Sequence, residues 1–174
     1  MTTATTYLSE ICRFYIVALF LFAAMGKILA FGDFEKTISD GVNIPPRFSR
    51  HVASIVIIGE SLAALLSSMR GEWGECGVAL ALFLSLVFTG FVATMLVQGR
   101  LIRCSCFGES DDRITALDLV RNGVLMTACA FFLFNAPSDN SISVVTLIPL
   151  LAMAIIALLV SVNLKGIATV LRLE

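Results

Sequence analysis

The sequence predicts an all-α fold: a polytopic helical membrane bundle of about five transmembrane helices, with a four-helix core and one helix added. Of the 174 residues, 58% are hydrophobic and 14% are charged, and the mean hydropathy is +0.95. A soluble domain usually has about 25% charged residues, and a chain this short could not bury so much apolar surface in one core. Several apolar stretches also approach the ~20 residues that a helix needs to cross a bilayer.

Five stretches have this length. Within one integral membrane domain, residues 1–174, they cover 11–31, 51–69, 77–97, 115–134 and 142–162. The first ends near Lys27 and is followed by further apolar stretches, so it is expected to be retained rather than cleaved as a signal peptide. Pro45-Pro46 predicts a rigid turn into the second span, and Trp73 an interfacial anchor before the third. Asp118 fits a capping-box pattern at the start of the fourth, and Pro149 should kink or loosen the fifth.

The charges between the spans predict the orientation of the chain. One side, here called face A, holds the N-terminus and the loops at 70–76 and 135–141, and it receives Arg13 and Arg70. The opposite side, face B, holds the loops at 32–50 and 98–114 and the C-terminal tail. Its basic residues are Lys36, Arg47, Arg50, Arg100, Arg103, Arg113, Lys165 and Arg172. Because basic loops remain in the cytoplasm, face B is predicted to be cytoplasmic and the N-terminus external.

Two cysteines, Cys104 and Cys106, follow the third span. A pair separated by one residue can close a small, strained disulfide ring, which is reduced and exchanged more readily than a structural bridge. Arg103 favours the reactive thiolate, whereas the acidic residues from Glu109 onward oppose it. We interpret the pair as a catalytic redox site; loop cysteines without a role and half of a metal site are the alternatives. No metal is predicted, because a zinc site needs four ligands and His51 is the single histidine.

The remaining cysteines fall toward the other face. Cys12 opens the first span and Cys76 precedes the third, so both are predicted at face A as a candidate second thiol pair, while Cys129 lies within the fourth span. A pair at each face is what a transmembrane thiol relay would need. The alternative is that these cysteines are small apolar fillers of the core.

Polar groups inside the spans are candidate supporting residues. Lys27, Glu60 and Arg121, the last followed by Asn122, all fall in the half of the membrane nearer face B. Ionisable groups in a bilayer are costly and usually functional or paired. A network of these groups could tune a thiol, move a proton or hold a polar headgroup. In the alternatives, Lys27 extends to the interface and Arg121 pairs with Asp118 on its own helix.

Other functional classes are excluded. A net charge of −1 gives no basic surface for nucleic acid. Neither a Gly-rich phosphate loop nor a haem attachment motif occurs, so no cofactor is predicted from motifs.

Several short motifs resemble the MauE family of methylamine utilisation membrane proteins, within the wider DoxX-like group. The resemblance covers roughly residues 10 to 165. Its motifs are Ala24-Met25-Gly26-Lys27, Pro45-Pro46, Gly59-Glu60, Cys104-Ser105-Cys106-Phe107-Gly108 and Arg121-Asn122.

The resemblance implies an accessory role in a bacterial inner membrane, in maturation of the methylamine dehydrogenase small subunit. Expected partners are that periplasmic, disulfide-rich subunit and a thioredoxin-like protein of the MauD type. The charge pattern places Cys104 and Cys106 at the cytoplasmic face, so either the orientation is reversed or electrons cross the membrane toward face A. Two other functions remain open: a dithiol oxidoreductase that uses quinone bound among the helices, and a non-redox membrane chaperone or translocation partner.

Overall fold

A computed structural model describes residues 3–42, 45–98, 116–136, 144–164 and 166. Six helices form within these ranges: α1 Thr3–Leu29, α2 Phe31–Val42, α3 Pro46–Ser68, α4 Glu72–Val97, α5 Ala116–Phe134 and α6 Val144–Val162. No strand occurs in the described part of the chain. Cys104 and Cys106 lie outside the described residues.

The predicted helical membrane bundle is confirmed. Four helices, α1, α3, α4 and α5, are long and apolar enough to cross a bilayer, and α6 contributes a shorter apolar helix over Leu147–Val162. Several helices begin earlier than the apolar stretches: α1 starts at Thr3 rather than 11, and α3 at Pro46 rather than 51. Pro46 occupies the start of α3, where its missing N–H costs no hydrogen bond and its fixed φ suits the helix.

An additional helix, α2, lies where the sequence analysis placed a loop. It follows α1 after Ala30 alone, and two backbone bonds, from the Ala30 amide to Gly26 and from the Phe34 amide to Ala30, span the junction. Its buried residues are Phe34, Thr37, Ile38 and Gly41. This i, i+3, i+4, i+7 spacing marks an amphipathic helix. Its polar face and short length made the segment look like a loop.

The helices alternate in direction around α1, which packs against α3, α5 and α6. At one end of the bundle, the Ser9 hydroxyl donates to the Asn135 carbonyl at 3.0 Å, and Arg13 donates to the Met69 carbonyl at 3.0 Å. These bonds bring the first turns of α1, the α3–α4 turn and the end of α5 to face A. The central core consists of apolar side chains such as Ile16, Leu19 and Val78.

Close contact between α3 and α4 depends on Gly77. A Cβ at this position would lie 2.6 Å from the Leu66 carbonyl carbon and nearer still to the Ser67 backbone nitrogen. Such spacings can be relieved only by moving the α3 backbone. The early turns of α4 therefore pack against the end of α3 because residue 77 has no side chain.

Replacing Gly77 with Ala is expected to destabilise the protein by at least the ~1–3 kcal/mol typical of overpacking. The matched control is Gly90→Ala on the same helix, where an added Cβ meets nothing within 4 Å; that change should leave stability unchanged or raise it, since Ala favours helix. Thermal unfolding in detergent, followed as loss of monodisperse protein, measures both variants. Equal unfolding temperatures for the two would contradict the close packing.

Candidate functional site

A buried ion pair joins α1 and α3. The Lys27 ammonium donates to both carboxylate oxygens of Glu60, with Nζ at 2.6 Å from Oε1 and 2.8 Å from Oε2. Lys27 is 2% exposed and Glu60 is 8% exposed. Glu60 lies about 21 Å along α3 from Pro46 and about 12 Å from Ser68, at 1.5 Å per residue. The pair is thus deep within the bundle, and Lys27 does not extend to the interface.

Two aromatic rings flank the ammonium of Lys27. The centroid of Phe34, on α2, is 5.5 Å from Nζ, and that of Phe88, on α4, is 5.9 Å away. Ring faces attract a cation most strongly where water is excluded. Helix α2 therefore contributes directly to the environment of the pair, which the sequence analysis did not predict.

Arg121 has a local partner. Its Nη2 lies 3.4 Å from Oδ1 of Asp118, three residues earlier on α5, and both side chains are buried. The sequence predicts a group of Arg121 with Lys27 and Glu60 and, as the alternative, the local pairing with Asp118; this local pair is present. Asp118 lies in the first turn of α5.

Asn122, next to Arg121, faces a cleft between four helices. Its side chain is 5% exposed, and its Nδ2 has no hydrogen-bond partner among the described residues. The lining residues come from α1, α3, α4 and α5: Leu19, Phe20, Ala23, Lys27, Glu60, Leu84, Ser85, Phe88, Asn122 and Leu125. The cleft has a volume of about 40 Å³, room for a few water molecules. The structure thus brings together Lys27, Glu60 and Asn122, three of the predicted polar residues.

A third buried ion pair, near face A, was not predicted from the sequence. The Nε and Nη2 atoms of Arg13 donate to Oε2 of Glu10, and Nη1 donates to the carbonyls of Ser68 and Met69, at 3.3 and 3.0 Å. Arg13 therefore caps the end of α3, where backbone carbonyls lack helical partners. The charge pattern alone assigns Arg13 to face A as a loop charge. An acid and a base three residues apart at the start of an apolar stretch were the available signal.

The described cysteines are free thiols. Cys12 is half-buried, Cys76 is exposed and Cys129 is buried. The pairing of Cys12 with Cys76 remains a prediction, as does the redox pair Cys104 and Cys106, which falls outside the described residues. Within the described ranges, no group of three or more His, Cys, Asp or Glu residues could hold a metal ion.

The sequence that forms α1 to α5 matches a known family. The family described as methylamine utilisation protein MauE matches residues 5–135, which include nearly all of α1 and the whole of α2 to α5. No curated protein and no solved structure matches the chain. The matched segment contains the Lys27–Glu60 pair, Asn122 and the Cys-x-Cys sequence, and it makes up more than half of the chain. The chain therefore belongs to the MauE family of methylamine utilisation proteins.

Proposed function

We propose that this protein supports maturation of the methylamine dehydrogenase small subunit by thiol-disulfide exchange at Cys104 and Cys106. The observation that supports the proposal best is membership of the MauE family over residues 5–135, a segment that includes both cysteines. Four helices long and apolar enough to cross a bilayer agree with a protein that works in a membrane. The bacterial inner membrane is the proposed location.

The proposed reaction forms one disulfide as another breaks. A thiolate of the small subunit attacks the Cys104–Cys106 disulfide to give a mixed disulfide, and a second subunit thiolate then releases the pair as two thiols. The subunit loses two electrons and the pair gains them; the two protons leave the subunit thiols and end on the pair. A thioredoxin-like partner of the MauD type would reoxidise the pair with its own disulfide, which becomes a dithiol.

The proposed orientation has a periplasmic N-terminus and a cytoplasmic C-terminus. Arg13, one of the two basic residues first assigned to face A, is buried against the end of α3. When Arg13 is left out of the basic loop residues, Arg70 is the one that remains at face A. The excess of basic residues at face B is then larger. Since basic loops remain in the cytoplasm, this strengthens the charge argument. In this orientation Cys104 and Cys106 and the periplasmic subunit lie on opposite sides of the membrane, so the exchange is relayed: Cys76, exposed on α4, is the candidate thiol that meets the subunit at face A, and electrons cross from there to the pair. Direct attack of the subunit on the pair requires the reversed orientation.

Replacing Cys104 or Cys106 with Ser should abolish accumulation of the small subunit while the membrane protein is still made, because a single thiol cannot complete the exchange. The matched control is Ser105→Ala, between the two cysteines, which should preserve accumulation. Immunoblots of the subunit and of the membrane protein in the same cells measure both.

Two further experiments distinguish a transmembrane relay from direct exchange. Loss of the subunit in Cys76→Ser would support a relay, whereas normal accumulation would favour direct exchange. A variant that retains only Cys104 and Cys106 is treated in intact cells with a maleimide that cannot cross the membrane. If the pair is labelled after reduction but not before, the disulfide lies on the outside. Normal subunit levels in both Ser variants would contradict the redox proposal and favour the non-redox chaperone.

A further inference from the structure

We propose that the cleft lined by Lys27, Glu60 and Asn122 binds an uncharged carbonyl group of a membrane-soluble molecule, with the Asn122 amide as donor to the carbonyl oxygen. The site lies within the described helices and does not depend on Cys104 or Cys106. It assigns a binding function to a part of the protein that the thiol-disulfide proposal does not use.

The Asn122 amide is the first argument for a ligand. Its side chain is 95% buried, lines the cleft, and has an Nδ2 donor without a partner among the described residues. Leaving a buried amide donor unsatisfied destabilises the folded protein. A ligand oxygen within hydrogen-bond distance would remove that destabilisation. Ser85, which lies in the same lining, already donates its hydroxyl proton to the Ala81 carbonyl.

The paired charges of the cleft select an uncharged functional group. Lys27 and Glu60 are bonded through both carboxylate oxygens and together have no net charge. An anion or a cation entering this space would lose its hydration and gain no uncompensated counter-charge. A neutral carbonyl avoids this penalty and accepts the one bond that Asn122 offers.

The remaining walls of the cleft define the body of the ligand. They are apolar or aromatic: Leu19, Phe20, Ala23, Leu84, Phe88 and Leu125. A volume of about 40 Å³ admits the polar edge of a molecule, so the rest of it would extend toward the lipid around the helices. Membrane quinones and the acyl esters of phospholipids share this chemistry, a carbonyl oxygen on an apolar body.

The test measures ligand-dependent unfolding of the purified full-length protein in detergent. A short-chain benzoquinone and a short-chain phosphatidylcholine are titrated separately, because a ligand that binds only the folded state raises the unfolding temperature saturably. The variant is Asn122→Leu, which keeps the approximate shape and removes the donor. Its control is Asn163→Leu, an exposed asparagine whose amide bonds to the Leu159 carbonyl on its own helix.

We expect one of the two compounds to raise the unfolding temperatures of the wild type and of Asn163→Leu equally. The same compound should bind Asn122→Leu about tenfold more weakly, as loss of one buried hydrogen bond implies. A shift with quinone identifies the redox lipid, and a shift with phosphatidylcholine identifies a bilayer lipid. Without ligand, Asn122→Leu should be at least as stable as the wild type. The proposal is overturned if neither compound gives a saturable shift, if Asn122→Leu responds like the wild type, or if Asn122→Leu unfolds well below it without ligand.

Discussion

Replacing Glu60 with Leu is expected to destabilise the protein strongly and to lower its amount in the membrane. The substitution removes the partner of a cation that is 2% exposed and 2.6 Å from its carboxylate. Breaking a buried pair from one side costs about 3–5 kcal/mol, a large share of a total stability that is typically about 5–15 kcal/mol. The measurements are the amount of protein in membranes and the unfolding temperature in detergent.

The double variant Lys27→Met, Glu60→Leu should recover most of that loss, because a buried pair replaced by apolar side chains of similar volume is often neutral in stability. Lys36→Met, at an exposed position of α2, controls for removal of a lysine and should have little effect. If the double variant is as unstable as the single one, the pair does not act as a unit and the geometry is wrong.

Replacing Arg13 with Met is expected to be comparably severe. The change leaves Glu10 as a buried carboxylate without its partner and removes the donor that caps the Ser68 and Met69 carbonyls. A loss of about 3–5 kcal/mol follows from the unpaired charge alone. Arg13→Lys should recover only part of it, since a single ammonium cannot reproduce the planar guanidinium fork.

The control for Arg13 is Arg47→Met, which removes an exposed arginine from the first turn of α3 and should change stability by less than about 0.5 kcal/mol. Unfolding temperatures of the three variants in the same detergent give the comparison. Full recovery by Arg13→Lys would show that charge alone matters and that the two carbonyl contacts contribute nothing.

Sequence reasoning predicted the helices of this protein because the apolar runs are long. The polar residues inside them were also recognisable, since few residues in a bilayer can be charged without a partner. It could not predict which partner each would take. Arg121 had an acid three residues away on its own helix, whereas Lys27 reaches Glu60 across 33 residues of sequence, and only the packing of α1 on α3 makes that contact.

The errors at the ends of the helices have a different cause. The first turns of α1 are polar and contain Glu10, so hydropathy alone began the first span at residue 11, too late. Helix α2 contains several charged residues, so the same criterion assigned it to a loop. The buried row of Phe34 and Ile38 was visible in the sequence as a 3.6-residue pattern. It is short, however, and its apolar partners, such as Ile57 on α3, become neighbours only in the folded bundle.

The Lys27–Glu60 bond also sets an order on how the chain enters the membrane during synthesis. Helix α1 leaves the ribosome before α3, and Glu60 follows Lys27 by 33 residues, or about 2–7 s at the usual translation rates of 5–20 residues per second. A lysine in the last turn of an inserting helix costs less than the ~2.5–3.5 kcal/mol of a central one, because its stem can extend to the interface. The Glu10–Arg13 pair can form within α1 itself. The Lys27–Glu60 bond cannot form before α3 has been synthesised. The first segment that can contain the Lys27–Glu60 bond therefore extends from α1 through α3.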